Sequence, residues 1–217
     1  SRSRVCQQYD ENGNKIDWMQ GNWTENGWYD NYHGKLAYDE HNRKIEETYE
    51  NRFTSAEWVH TSKYTWKYDE NGHLIEHNML SYLNGEYEST LLAEYEYNED
   101  GKEIARQQSK FGTPTVRMES TYDEDGNLAR YLNRQWNDSL KRWQDYTDSY
   151  FAYDSLNRLS SGLLIRIDSL GNRDSVERYV MTYNYMANGY GFERKHTDMY
   201  NDSLGEWVGT TEETWFY

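Results

Sequence analysis

The stretch Tyr68-Asp69-Glu70-Asn71-Gly72-His73-Leu74-Ile75 constrains this chain most, because variants of it recur from end to end. Copies start at Tyr9, Tyr38, Tyr97, Tyr122 and Tyr153, and a degenerate seventh copy, YMANGYGF, starts at Tyr185. Such a period fixes the architecture before any single element does. Each copy presents an aromatic residue, four polar residues and a return to apolar ones. Asp or Asn opens a type I turn well, because its side-chain oxygen accepts bonds from backbone N–H groups just ahead. Gly or Asn at the fourth polar position suits the left-handed conformation that closes a bulged hairpin. Every octet therefore predicts a β-hairpin turn.

A second turn signal lies between successive octets, as Thr24-Glu25-Asn26-Gly27, Leu83-Asn84-Gly85, Phe111-Gly112 and the stretches after Asn137, Ile167 and Asn201. In the second repeat it falls somewhere within residues 50–58. Asp-Ser-Leu-Gly reads as Asp-Glu-Asn-Gly rewritten, so both ends of each hairpin are expected to use one turn type. The turns leave strands of roughly a dozen residues, about 40 Å long. Seven hairpins give about fourteen strands, whereas an open twisted sheet rarely exceeds roughly ten without curling or splitting. The expected fold is all-β: an antiparallel up-and-down meander of tandem β-hairpin repeats in a curled or closed sheet. One domain, 1–217, is expected to hold it, with repeats starting near 9, 38, 68, 97, 122, 153 and 185. Closure would bring residues 210–217 against residues 3–8. Gly112-Thr113-Pro114 is expected to make a tight or irregular turn.

Strands entering the octets alternate cleanly. Tyr64, Trp66 and Tyr68 interleave with Lys63, Thr65 and Lys67, which places the rings on one face. Outgoing strands conflict: Leu128, Leu132 and Trp136 share one parity, while Ile45, Tyr49 and Phe53 take the other, so no single buried face is assigned to them.

Composition decides between order and disorder. Leu, Ile, Val and Phe make up less than a sixth of the chain, mean hydropathy is -1.19 and net charge is -15, a profile that otherwise suggests disorder. The 22 Tyr and 9 Trp reverse that reading, since aromatic side chains supply both burial and strand propensity. The acidic balance excludes a nucleic-acid partner, which needs a basic footprint, and disfavours anionic membrane surfaces. No apolar run approaches a membrane span, so no membrane insertion is expected. Residues 1–8 contain no signal-peptide core. Cys6 is the single cysteine and forms no intrachain disulfide.

The octet resembles the YD repeat of the RHS family: Tyr-Asp, two variable residues, Gly, one variable residue, then Leu. Residues 68–74, 122–128 and 153–159 fit best, with Asn157 in place of Gly, and other copies shift the aliphatic residue to Ile16, Ile45, Ile75 and Ile104. Large RHS proteins build a β-shell around a toxin from such hairpins; this chain is too short to enclose one. The resemblance implies architecture and no catalytic residue. The chain also looks like small exported repeat proteins of anaerobic bacteria.

Candidate chemistry is sparse. Asp123-Glu124-Asp125-Gly126-Asn127, Asp69-Glu70-Asn71-Gly72 and Asn98-Glu99-Asp100-Gly101 look like the start of a calcium loop, yet position 12 is Arg134 or Leu80 rather than the bidentate Glu such loops require. His73 and His77, four apart, would stand about 13 Å from one another on a strand, too far to share zinc, and are expected on a solvated face. Glu86, Glu88 and Glu94 could include a glycosidase pair or form a solvated acidic face. Asn22, Asn137 and Asn201 head glycosylation sequons at second turns, where turn chemistry also places Asn. Trp28, Trp58, Trp143 and Trp207 each follow a second turn. They form either a ladder of cross-strand contacts or a row of rings able to stack on sugars, and the ladder is favoured. The expectation is a non-enzymatic structural or scaffolding protein of the bacterial cell envelope, secreted, periplasmic or on the cell surface, with no cofactor and no metal. The alternative is a module that binds neutral glycan or protein through those tryptophans; a glycoside hydrolase ranks below both.

Overall fold

The structure is a computed structural model, and it describes residues 2–52, 57–168, 170–185, 191–201 and 204–216. The turn of the second repeat near residues 53–56 and the seventh octet turn at 186–190 lie outside them. Every regular element among the described residues is a β-strand. In chain order they are β1 (Ser3–Tyr9), β2 (Lys15–Thr24), β3 (Gly27–Tyr38), β4 (Lys44–Asn51), β5 (Val59–Tyr68), β6 (Leu74–Leu83), β7 (Glu86–Tyr97) and β8 (Glu103–Lys110). There follow β9 (Thr113–Tyr122), β10 (Leu128–Asn137), β11 (Arg142–Tyr153), β12 (Leu159–Ile167), β13 (Arg173–Tyr185), β14 (Gly191–Asn201) and β15 (Glu206–Phe216). Spatial order equals chain order, and β1 and β15 are the ends of that order. The meander is therefore open, and the expected option of a closed sheet falls away.

Two compact units divide the chain: Ser1–Gly101 with Gln107–Pro114, and Lys102–Arg106 with Thr115–Tyr217. Within each, the strands that lie side by side are neighbours in sequence, and side chains such as Trp18 and Arg4 reach one strand further. No large side chain among the described residues is fully buried; the buried apolar residues are Ala93, Ala105, Leu132 and Val176. Half-buried rings take the place of a core. In the first unit, Trp18 and Tyr49 meet edge to face at 6.0 Å, Tyr49 meets Tyr64 at 5.7 Å, and His77 stacks on Trp66 at 5.1 Å. Trp18 and Tyr49 both pair with Gly34 across the sheet, and a Cβ there would strike the Trp18 indole. The second unit repeats the device, with the Tyr179 ring lying over Gly162.

The octet turns follow the expected chemistry in detail. Asp10, Asp39, Asp69, Asp123 and Asp154 each close a loop by accepting the backbone N–H three residues on, from Gly13, Asn42, Gly72, Gly126 and Asn157, and by donating their own N–H four residues on. Those fourth residues have φ of 82°, 59°, 91°, 81° and 57°. Only Gly and Asn occupy this site, since a left-handed backbone costs other L-residues roughly 1–2 kcal/mol.

The other edge departs from expectation. Asn84-Gly85 and Phe111-Gly112 are two-residue loops with φ positive at both positions, the primed geometry that matches strand twist. The Phe111 turn is thus regular. A four-residue loop, 138–141, joins β10 to β11, and Leu140 donates its N–H to Asn137 Oδ1. Among the described second turns, Asp168–Asn172 alone shows the hydrogen bonds of the octet loop. A single turn type at both edges was the wrong expectation.

Paired bulges explain the conflicting parities. The octets at Tyr9, Tyr38, Tyr68, Tyr122 and Tyr153 each end in one extra residue, as where Ala37 faces Glu46 while Tyr38 faces Lys44, leaving Ile45 unpaired. Further along, Asn31, Thr61, Thr90 and Tyr146 are extra residues on β3, β5, β7 and β11. Each insertion exchanges the two faces.

Candidate functional site

The repeats are locked together at the octet edge. Tyr38 donates its hydroxyl hydrogen to the Lys15 carbonyl at 3.1 Å, Tyr68 to Lys44 at 3.0 Å, and Tyr97 to Leu74 at 2.9 Å. In the second unit Tyr122 reaches Glu103 at 2.8 Å, Tyr153 reaches Leu128 at 3.1 Å, and Tyr183 reaches Leu159 at 2.7 Å. Each octet tyrosine thus fastens to the start of the outgoing strand one repeat earlier. In the seventh copy that role belongs to Tyr183, two residues before the Tyr185 read from sequence. The residue after the left-handed position completes the joint. Arg43 covers Tyr68 at 4.6 Å, His73 stacks on Tyr97 at 4.7 Å, Lys102 covers Tyr122 at 5.1 Å and Arg158 covers Tyr183 at 4.3 Å.

The calcium-like carboxylates are committed to their own turns. Asp69 Oδ1 accepts the N–H groups of Asn71 and His73, while Oδ2 faces His73 Nδ1. Asp154 accepts from Leu156, Arg158 and the Arg158 guanidinium in the same way. The Arg158 guanidinium and backbone N–H hold the Asp154 carboxyl below its ordinary range. No group of three His, Cys, Asp or Glu among the described residues is arranged to hold a metal. His77 is no solvated residue: it packs half-buried against Trp66, and burial lowers its pKa, with Lys44 adding to the effect. Glu86, Glu88 and Glu94 are exposed and strung along β7. Among the sequon asparagines, Asn137 and Asn201 serve as acceptors for the N–H groups of Leu140 and Leu204.

Three of the four singled-out tryptophans stand in cross-strand pairs beside their turns. Trp28 meets Trp23 at 5.4 Å, Trp143 meets Trp136 at 5.3 Å and Trp207 meets Tyr200 at 5.4 Å, each near-perpendicular. Tyr82 and Tyr87 make the same pair at 5.1 Å. Trp58 instead lies 5.3 Å from the His33 ring. Cations cover three of these rings: Arg4 over Trp28, Arg52 over Trp58 and Arg178 over Trp207. Trp28 is 38% exposed, and the other three are half-buried.

Sequence reasoning missed the polar clusters beside these rings. Arg4 grips Asp30, Arg130 grips Asp148 with both nitrogens, and Arg178 binds Asp198. Across the first unit, His33 lies between Asp17 and Glu50, 3.0 Å from each, and Glu50 also meets His60 at 3.0 Å. Both ring nitrogens of His33 are thereby occupied. The row ends at Tyr87, whose buried hydroxyl has no partner; burial raises its pKa, helped by Glu50 and Glu46.

No protein-family model matches the chain, and no curated protein matches it. Among solved structures it is similar to part of the Tc holotoxin pore of Photorhabdus luminescens, at 17% identity and a TM-score of 0.56, over 95% of this chain and 9% of that one. The chain thus spans under a tenth of that protein's length. Other similar structures are a DUF3836 family protein from Bacteroides vulgatus (14% identity, TM-score 0.28, covering 58% of this chain and 98% of that one) and a porin-like protein from Bacteroides uniformis (10%, 0.30, 93% and 90%). No helix is long and apolar enough to cross a membrane.

Proposed function

We propose that this chain is a non-enzymatic structural repeat protein of the bacterial cell envelope, a YD-type wall of hairpins placed in the periplasm, at the cell surface or outside the cell. The tyrosine joint carries this reading: six octet tyrosines fasten one repeat to the one before it. Polar side chains capable of chemistry are spent on turns and cross-strand bonds, as in the octet aspartates and His33. The fold shared with a stretch of the Tc holotoxin is in keeping with a repeat architecture of this kind. Fractionation of cells that make the chain naturally tests the placement; recovery in the cytosol would overturn it. Turnover of any member of a chromogenic glycoside panel, lost on substituting one carboxylate, would overturn the non-enzymatic part.

A second reading is a binding module for neutral glycan or protein using Trp28, Trp58, Trp143 and Trp207. Trp23 and Trp28, at 51% and 38% exposed, favour it in the first unit. The net charge of -15 sets this surface against acidic polysaccharides. Titration with neutral oligosaccharides, followed by tryptophan fluorescence, should saturate and should lose its signal in Trp28→Ala; a flat response across the panel removes the glycan.

A further inference from the structure

An octet-type turn constrains its first, fourth and fifth residues and leaves the second and third free. At Asp10, Asp39, Asp69, Asn98 and Asp123 the free pair is Glu followed by Asn, His or Asp, as solvent exposure demands. From residue 138 onward the pair is Ser-Leu at four turns, after Asp138, Asp154, Asp168 and Asp202, and Ala187-Asn188 in the degenerate seventh octet. The leucines are 54%, 70%, 81% and 64% exposed. Four turn tips therefore display a leucine that is more than half exposed.

Conformation does not explain the tripeptide. Asp138-Ser139-Leu140 sits in a four-residue loop where Asp138 binds Lys141, and Asn137, not Asp138, caps the Leu140 N–H. Asp154-Ser155-Leu156 sits in a five-residue loop where Asp154 itself caps the Leu156 N–H. Duplication of a hairpin does not explain it either, because the first lies on the second-turn edge and the second on the octet edge. Ser139 and Ser155 are exposed, and neither hydroxyl is drawn into a hydrogen bond. Ser169 and Ser203 lie outside the described residues. An exposed sequence retained across different backbones is what an external reader requires.

We infer that Asp-Ser-Leu at Ser139 and Ser155 is an acceptor site for O-linked glycosylation. A glycosyltransferase would take the leucine into an apolar subsite and the aspartate against a donor. The serine Oγ attacks the anomeric carbon of a sugar carried as a nucleotide or lipid pyrophosphate ester. The bond from that carbon to the phosphate oxygen breaks, its electron pair leaves with the phosphate, and the hydroxyl proton passes to a base of the transferase. Phosphorylation is the weaker choice: a dianion beside the aspartate, in a chain of net charge -15, meets repulsion rather than an arginine cluster. A neutral glycan adds no charge and covers the leucine.

The test is mass spectrometry of the full chain isolated from cells that make it naturally, with peptide fragmentation that keeps glycans attached. Sugar-sized mass on Ser139 and Ser155 is expected, each removed by its own Ser→Ala substitution. Leu156→Asn should lower occupancy at Ser155 at least about tenfold while the melting temperature stays unchanged, since that side chain is 70% exposed. An unmodified mass, phosphate, or sugar confined to other residues overturns the inference. Unchanged occupancy at Ser155 in Leu156→Asn overturns the recognition of leucine.

Discussion

At the octet edge the loops share one geometry, whereas at the opposite edge loops of two, four and five residues join the same kinds of strand. Both edges face solvent and both close antiparallel hairpins, so closure alone does not demand uniformity. The difference lies in what each loop touches. A second turn serves its own hairpin, with a cross-strand ring pair such as Trp136–Trp143 beside it. An octet turn also holds the next repeat, through a tyrosine to a carbonyl and a cation or ring laid on that tyrosine. A loop that must fit its neighbour cannot change length alone. The Asp168 loop makes the distinction sharp: it has octet geometry, but Ile167 stands in the tyrosine position and no clamp follows.

Acid should give the largest separation of the two edges. The octet aspartates hold their carboxyls below the ordinary carboxylate range: Asp10 chiefly through the Asn14 side chain, Asp123 through the Asn127 N–H. In Asp39 burial works upward and the Arg43 donors outweigh it. A carboxyl depressed on folding contributes stability above its unfolded pKa and loses it as pH falls through the folded value. Octet loops should therefore hold above about pH 4 and open below it. Amide exchange should show N–H groups of Asn14, Arg43, His73 and Arg158 losing protection first, with Asn172 joining them from the opposite edge. Asn84-Gly85 and Phe111-Gly112, which have no carboxylate cap, should keep theirs. Simultaneous loss at Asn84-Gly85 and Phe111-Gly112 would mean that the aspartates do not carry the loops.

Next in size is the left-handed position. Gly13 has φ of 82° with open space where a Cβ would stand, so a substitution there reports backbone strain and nothing else. Gly13→Val should cost roughly 1–3 kcal/mol. Gly13→Asn should cost a few tenths, as Asn42 and Asn157 already occupy the equivalent site. Equal losses in urea denaturation would overturn the turn assignment.

The joint itself should measure about 0.5–1.5 kcal/mol per clamp, the net worth of one hydrogen bond. Tyr153→Phe keeps the ring and removes the donor to Leu128. Tyr146→Phe, at the exposed bulge on β11, is the matched control and should be silent. A silent Tyr153→Phe would reduce the clamp to ring packing.

The octet turns, their aspartate caps and their left-handed Gly or Asn were legible because each lies within five consecutive residues. Facing was not. Leu128 and Leu132 share a parity, yet they pair with Tyr122 and Glu119, which point to opposite sides of the sheet. An extra residue in a strand leaves no uniform mark: Thr61 and Thr90 each donate to a carbonyl of the partner strand, whereas Asn31 and Tyr146 are different in kind. The same bulges hid the site. Trp28 and Trp207 could be placed beside their turns, but Arg4 and Arg178 arrive from other strands at a register that the bulges set. Contacts inside one turn were readable; contacts across a shifted ladder were not.

The smallest effect tests whether the second-turn edge is indeed free to vary. Phe111 has φ of 47° and is 72% exposed, a poor residue for the first position of a primed two-residue turn, where Asn is favoured. Asn84 fills that position in the loop Asn84-Gly85, with φ of 52°. Phe111→Asn should therefore stabilise the chain by about 1 kcal/mol or less, since the left-handed penalty falls and little burial is lost. Asn84→Phe should cost a similar amount. Denaturation midpoints of the two variants should move in opposite directions at unchanged slope. A loss of stability in Phe111→Asn would show that this ring serves a contact beyond its own hairpin, and the second-turn edge would then be bound by the same demand as the octet edge.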